Sequence, residues 1–313
     1  MELRAATSDQ KRKRDRLTYS AWGTGLNVEQ YAQREDRLRQ HPWPRESMAT
    51  WLLCDRDGSV LSSCETYRMT SVSAGKTGST YAVASVFTEP SLRGRGHAST
   101  LLQHLIPELR RRDPVIQASV LYSDVGAALY ERCGFQPRPA WDRILPPEPG
   151  PWEEGLDQLL DEDEVAGVLA RLPKPRSGFF VWPSAAQVDW HLERERTYAD
   201  ALDRPRPTAC GAMVGGSAAL WAADLLRREL VILLACAEGP GASESLSRAA
   251  RRMAYRTGLA RVRWWEGAPD AGLGPDFPGG VRQARKGELP MLHPFSPDVR
   301  AQNWTWIPKA LWV

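Results

Sequence analysis

Apolar positions recur along the chain with the period of a strand or of a helix, and the order of those stretches is its first legible feature. Glu2 to Thr7 reads as a short strand, with Ser8 as the cap of a charged helix. Asn27-Val28-Glu29-Gln30 has the form of a capping box that opens a second helix through Arg39, and His41-Pro42-Trp43-Pro44 stops it. Ala49–Cys54 and Ser59–Met69 predict two strands across the turn Asp55-Arg56-Asp57-Gly58. The polar stretch from Ser71 to Ser79 reads as flexible. Tyr81–Thr88 is a strand ended by Glu89-Pro90. Beyond a glycine-rich turn, Ala98, Leu101, Leu102, Leu105, Ile106 and Leu109 form one stripe of a helix. Pro107 predicts a break or kink in it, at a cost of about 3 kcal/mol. Val115–Tyr122 has the pattern of a buried strand, and Ser123-Asp124 caps a short helix with Val125, Ala128 and Leu129 that Gly134 ends.

Pro146-Pro147-Glu148-Pro149-Gly150-Pro151 can extend neither helix nor sheet, which places a domain boundary between residues 1–148 and 149–313. Trp152–Leu172 reads as an acidic helical stretch. Further on, Glu229–Cys236, Gly239-Pro240-Gly241, Ser243–Thr257 and Leu259–Trp265 repeat the order strand, glycine turn, helix, strand. The second half is rich in tryptophan, at Trp152, Trp182, Trp190, Trp221, Trp264, Trp265, Trp304, Trp306 and Trp312. Most of these read as core and domain interface; the alternative is an aromatic-walled substrate pocket.

A length of 313 residues suits two domains, and the apolar and charged shares of 42% and 25% are those of a globular protein. The net charge of +3 implies no strong pull to nucleic acid. Lys11-Arg12-Lys13-Arg14 reads as the solvated face of a helix. The five cysteines show no paired spacing and the five histidines none of a metal site, so no metal is expected. No signal peptide is read at the start, and the longest apolar run, Leu230 to Ala237, is too short to span a bilayer, so the expected location is the cytoplasm, with no membrane partner. Oligomeric state stays open.

The chemistry gathers at Ser91-Leu92-Arg93-Gly94-Arg95-Gly96-His97-Ala98-Ser99. Glycines between the end of a strand and the first turn of a helix let an anion approach N–H groups that have no partner within the helix. A dinucleotide fingerprint requires glycine where Ser99 stands, and a P-loop ending at Gly75-Lys76-Thr77 requires it at Thr70, so both fail. The spacing Arg93-x-x-Gly96-x-Ala98 remains. With Tyr130-Glu131-Arg132-Cys133-Gly134-Phe135 after Ser123-Asp124, it resembles the two signatures of the GNAT acetyltransferase superfamily, in which Ser123 stands where asparagine is usual. The resemblance implies an α+β (mixed α/β) fold with a central mixed, mostly antiparallel sheet flanked by helices. The second α/β domain is then either a degenerate GNAT-like repeat that contributes to the substrate pocket or a generic βαβ unit.

It also implies acetyl-CoA as co-substrate, held by Arg93, Gly94, Arg95, Gly96, His97, Ala98, Ser99 and Ser123, with pantetheine along Val86, Phe87 and Thr88. Tyr130 takes the position of the acid that protonates the thiolate. A glutamate that some relatives carry as base falls at Thr80 here and is missing. Glu65, within a strand, is a candidate base or ammonium anchor, unless it pairs with Arg68. Asp124 and the α-carboxylate of Val313 are further candidates on the substrate side. Ser62–Thr66, Val120–Gly126 and Ala310–Val313 beyond Trp304-Thr305-Trp306 resemble fungal-type lysine acetyltransferases, which implies a small primary amine as partner, free lysine first. An antibiotic, a polyamine, a protein lysine, or a non-catalytic acyl-CoA-binding module are the alternatives.

Overall fold

The computed structural model describes residues 1–151, 156, 158–175, 178–266, 277–301, 304 and 306–313. Along the first half run β1 (Glu2–Ala5), α1 (Ser8–Trp22), α2 (Val28–Gln40), α3 (Pro42–Ser47), β2 (Met48–Cys54), β3 (Val60–Ser73), β4 (Lys76–Phe87), α4 (His97–Arg112), β5 (Ile116–Ser123), α5 (Ala128–Glu131), β6 (Gln136–Pro137) and β7 (Trp141–Leu145). There follow β8 (Gln158–Leu160), α6 (Val165–Arg171), β9 (Phe179–Val181), α7 (Ala185–Ala201), β10 (Gly211–Val214), β11 (Ser217–Asp224), β12 (Glu229–Cys236), α8 (Pro240–Arg256), β13 (Arg261–Glu266), β14 (Val281–Ala284), β15 (Leu289–Pro294) and α9 (Pro297–Ala301).

Both halves build a mixed sheet flanked by helices. The first has the order β1-β2-β3-β4-β5-β15-β6, with β9 added on β3; the second has the order β8-β10-β11-β12-β13-β7-β14. Each sheet is antiparallel except for one parallel pair, β4 with β5 and β12 with β13, at the same place in the order. The second sheet therefore repeats the first. The repeats also exchange a strand. Position six of the first sheet is filled by β15, from late in the chain, and position six of the second by β7, from early in it. Strands thus cross residue 148/149 in both directions, so the sheets do not divide where the prolines do.

The apolar face of α4 explains its packing. Leu101, Leu102, Leu105, Ile106 and Leu109 meet Trp51, Leu53, Val83, Ile116, Leu121 and Met291 on one face of the first sheet. The next residue along each strand, Ala82 or Ala84, Val120 and Leu292, points the other way into a second cluster with Trp43, Trp190 and Trp304. In the second half α8 covers one face of the sheet and α6 the other. Helix α7 lies between the sheets, with Trp190 in the cluster of the first and Val188 and Leu192 in that of the second.

Several expectations change. Pro107 lies inside an unbroken α4, because buried leucines on both sides of it are worth about 1.5–3 kcal/mol each and outweigh the lost bond. Ser71–Ser79 is no flexible stretch: Ala74 (φ 48°) and Gly75 (φ 75°) make the turn of a β3–β4 hairpin. Its polar side chains are satisfied, Ser71 Oγ donating to Gln117 Oε1 (2.8 Å) and Ser79 Oγ to Asp113 Oδ2 (2.7 Å). The cap of α1 is Thr7, which exchanges a capping box with Gln10, and not Ser8. His41-Pro42-Trp43-Pro44 ends α2 but opens α3. The stretch read as one helix to Leu172 is β8 and α6, since Leu160 registers against Gly211 of β10. Trp152 and Thr305 lie outside the described residues. Trp221, Trp265 and Trp304 are core, as expected of most tryptophans.

The exchanged strands predict one cooperative thermal transition by calorimetry rather than two. Leu292→Ala, at a fully buried position of β15, is expected to lower the stability of the whole molecule by about 2–5 kcal/mol. Two separable transitions, only one of them shifted, would contradict this.

Candidate active site

The site begins at an irregularity in β4. Strands β4 and β5 pair in parallel only as far as Val83 and Leu121. Immediately beyond, the register of β4 on β3 slips between Glu65–Ala84 and Ser63–Phe87, and Ser85 takes φ 51°. A bulge bends the strand locally and frees an edge. Val86, Phe87 and Thr88 thus part from β5 and leave backbone groups facing a cleft.

A buried cation holds this irregularity. Arg14 of α1 donates from Nε to Ser63 Oγ (3.0 Å), from one terminal nitrogen to Glu65 Oε1 (2.7 Å) and from the other to the Ser85 carbonyl (2.6 Å). Arg14 and Glu65 side chains are each only 5% exposed. Ser62 Oγ donates to the Phe87 carbonyl at 2.9 Å, on the far side of the bulge. The string Ser62–Glu65 therefore fastens β4 from below. Glu65 pairs with Arg14 and not with Arg68, which binds Asp113. The expectation of a solvated Lys11–Arg14 face fails at its last member, for Arg14 points inward with Asp15 and Thr18.

At the open end of β4 stands the glycine turn. Gly94 (φ 77°) and Gly96 (φ 81°) are left-handed, and a Cβ at either position would meet nothing within 4 Å. The turn is thus a cradle with room beside it. Gly96 caps α4 without any side-chain hydrogen bond, so the first N–H groups of the helix are free to receive an anion. His97 Nδ1 is buried there without a partner among the described residues. These features fit a pyrophosphate in the cradle and a pantetheine arm along the bulged strand.

Tyr130 sits on the opposite wall. Among the described residues no hydrogen-bond partner holds its hydroxyl, and burial pushes its pKa up to about 12. The turn after it is closed by Phe135 N–H donating to the Tyr130 carbonyl (3.1 Å), with Gly134 at φ 84°.

These elements enclose one cavity of about 1130 Å³. It brings together Glu65, Val86, Phe87, Thr88, Arg93, Gly94, Gly96, His97, Ala98, Ser99, Asp124, Tyr130 and Val313. Two expected residues are not part of its wall. Arg95 is exposed and turns back to the Ser91 carbonyl (3.4 Å). Ser123 Oγ is spent on its own turn, donating to the Gly126 carbonyl (2.6 Å) and accepting from Val125 N–H. Asp124 Oδ1 accepts the Glu288 N–H at 2.9 Å, which ties β5 to the start of β15.

The second half supplies the remaining wall. Trp190, Arg194 and Tyr198 of α7, Asp224 and Arg227 around the β11–β12 turn, Glu288 and Trp312 all face the cavity. The end of the chain is anchored there: Gln187 Nε2 donates to the Ala310 carbonyl (2.8 Å), and Lys309 Nζ to Glu288 Oε1 (2.7 Å). Burial alone would raise the Glu288 carboxyl, but Lys309 and Arg263 outweigh it and hold it well below the usual range. Sequence reasoning missed Arg14 and the α7 residues. A signal for the latter existed in the four-residue spacing of Trp190, Arg194 and Tyr198, which share a helix face.

Fold and site define a GNAT acetyltransferase. The profile of the Acetyltransferase (GNAT) family matches residues 15–135, and that described as the LYC1 GNAT-like C-terminal domain matches residues 153–312, just over half of the chain. The chain belongs to this LYC1-like family of GNAT proteins, and it is an enzyme that moves an acetyl group from acetyl-CoA to an amine. A protein of Yarrowia lipolytica (strain CLIB 122 / E 150) named lysine acetyltransferase is 25% identical, over 75% of this chain and 76% of that protein. Among solved structures, a probable N-acyltransferase from Enterococcus faecalis V583 aligns with TM-score 0.61 at 12% identity, over 93% of this chain and 71% of that one. Eis1 from Mycobacterium abscessus aligns with TM-score 0.54 at 14% identity, over 94% and 73%. At such identities these two show the shared fold alone.

Removing Arg14 leaves Glu65 buried and unpaired and the Ser85 carbonyl unheld. Arg14→Ala is expected to cost about 3–5 kcal/mol in chemical denaturation and to raise the KM for acetyl-CoA in whatever protein remains folded. An unchanged denaturation midpoint would show that the bulge does not depend on it.

Proposed function

We propose that the enzyme acetylates the ε-amino group of free lysine. The observation that carries this reading is that residues of the segment matched by the LYC1 profile, Trp190, Arg194, Tyr198, Arg227, Glu288 and Trp312 among them, line the cavity that also takes in the bulged strand. The likeness to the Yarrowia protein named lysine acetyltransferase extends over three quarters of the chain and supports it. The five free cysteines fit a reducing cytoplasm.

An amine attacks only when neutral, yet the ε-ammonium has a pKa of about 10.4, so a proton must leave near the acetyl carbon. Glu65, with one oxygen held by Arg14, receives that ammonium and its proton at the other. Asp124 and Val313, on the same cavity, are contacts for the rest of the acceptor. Arg93, Gly94, Gly96, His97, Ala98 and Ser99 hold the pyrophosphate end of the coenzyme, and Val86 to Thr88 its pantetheine. Backbone N–H groups past the bulge polarise the thioester carbonyl as in an oxyanion hole. As the C–N bond forms and the C–S bond breaks, the Tyr130 hydroxyl gives its proton to the departing sulfur, and the proton that the acylated nitrogen sheds restores the phenol through solvent.

Thiol release from acetyl-CoA against lysine, ornithine, polyamines, an aminoglycoside and a histone peptide tests the substrate: selective turnover of lysine is expected, and preference for another class refutes it. Tyr130→Phe is expected to lower kcat about 100-fold with little change in the KM for acetyl-CoA. Because desolvation disfavours the phenolate and pushes Tyr130 up to about 12, the donor stays protonated through neutral and mildly alkaline pH. The kcat–pH profile is thus expected to show no alkaline loss below about pH 10.

A further inference from the structure

We propose that Arg194 is the residue that reads the α-carboxylate of the acceptor and so makes the enzyme selective for amino acids over simple amines. The inference rests on the lysine reading above and extends it to a specificity-determining residue.

Six cations of the cavity wall are already accounted for. Arg14 pairs with Glu65, Arg34 with Glu35, Arg39 with Asp15, and Arg227 with Glu288 at 3.5 Å. Arg93 belongs to the glycine turn. Arg132 follows Tyr130 in the short turn whose Cys133 Sγ reaches the Ser99 carbonyl of the first turn of α4 at 3.8 Å, on the first-half side of the cavity. Both therefore serve the coenzyme end. Arg194 is different in place and in partners. It lines the cavity from α7, on the side supplied by the second half, and among the described residues no carboxylate lies within ion-pair distance of it. An arginine in a cavity without a counter-charge is a site for an anion from outside the chain.

Its guanidinium is also oriented. Its central carbon lies 4.9 Å from the Trp312 ring centroid and 5.5 Å from that of Tyr198. Rings against a guanidinium limit its rotation and leave N–H groups in its plane to donate, the geometry that suits a two-pronged bond to a carboxylate. The His191 ring beside Trp312 is held neutral, pushed down to about 3 by burial, and it meets the Ala310 carbonyl at 3.2 Å. It adds no charge of its own, and the ammonium of Lys309, 3.8 Å from the Trp312 centroid, is already spent on Glu288.

The path from Arg194 to the reacting end has the character of a lysine side chain. One helical turn from Arg194 is Trp190, about 6 Å along the axis. Trp190 packs on Tyr67 at 6.1 Å between centroids, and Tyr67 lies two residues from Glu65 on the same face of β3. Trp190 and Tyr67 thus line the cavity on the way from Arg194 to Glu65, an aromatic wall against which the four methylenes of a lysine would bury apolar surface. A polyamine, with a cation where the carboxylate would lie, meets repulsion at Arg194.

The test compares kcat/KM for lysine, lysinamide, cadaverine and ornithine in wild-type, Arg194→Gln and Arg194→Lys enzymes, with the KM for acetyl-CoA and the thermal midpoint measured on each. Wild-type enzyme is expected to prefer lysine to lysinamide and cadaverine by about 10- to 100-fold. In Arg194→Gln this ratio collapses toward one through the KM for lysine, and Arg194→Lys, which keeps the charge without the planar fork, recovers part of it. An equal loss on every amine, or a wild-type enzyme indifferent to the carboxylate, overturns the assignment. Turnover of ornithine but not lysine that depends on Arg194 sinks the lysine reading and keeps the anchor. Lysine turnover with its selectivity intact in Arg194→Gln does the reverse.

Discussion

The interior position of one guanidinium decides the shape of the site. Arg14 is taken out of water by α1 and must satisfy its donors inside the protein, which it does on Ser63, Glu65 and the carbonyl of Ser85. The last of these is the residue at which β4 leaves its regular path. Without an internal donor, a carbonyl turned away from its ladder in a buried strand is costly. The bulge, the parting of β4 from β5 and the cleft between them thus follow from one charge that cannot be left unpaired. The same contact fixes the Glu65 carboxylate at the floor of the cavity.

The second constraint is the exchange of strands. With β15 in the first sheet and β7 in the second, neither repeat completes its sheet from its own stretch of chain. The chain segments that make the exchange also carry the wall of the site. Glu288 adjoins β15 and accepts from Lys309, and the segment to Trp312 is drawn in behind it. The second repeat lacks the arginine–glycine spacing, and its residues line the cavity on the side opposite the glycine turn. Through α7 and the end of the chain it supplies that wall of the cavity.

Much of the first half around the glycine turn was legible in the sequence. Glycines at a strand-to-helix junction, the stripe of α4 and the turn after Tyr130 depend on local backbone preferences and on the period of apolar residues, both of which a sequence displays directly. The repeated strand, turn, helix and strand of the second half was visible for the same reason. Other readings failed where a long-range partner overrode a local tendency. Ser71–Ser79 looks like a loop by composition, but buried partners on Asp113 and Gln117 make it a hairpin. Arg14 stands in a basic run, and nothing in helix periodicity separates it from its exposed neighbours.

By itself, then, the sequence determined most of the elements, the fold family and the position of the glycine turn, because these rest on residues close together in the chain. The tertiary structure alone decided which charges are buried together, which parts of the second half line the cavity and which strand completes which sheet. Glu65 was singled out in the sequence as a carboxylate in a strand, but its partner came from a helix 51 positions away. Arg194 shared a helix face with Trp190 and Tyr198 in the sequence, but only folding placed it against Trp312 with no carboxylate in ion-pair distance among the described residues. Pairing of this kind is set by how two sheets and the helix between them pack, and no local pattern encodes it.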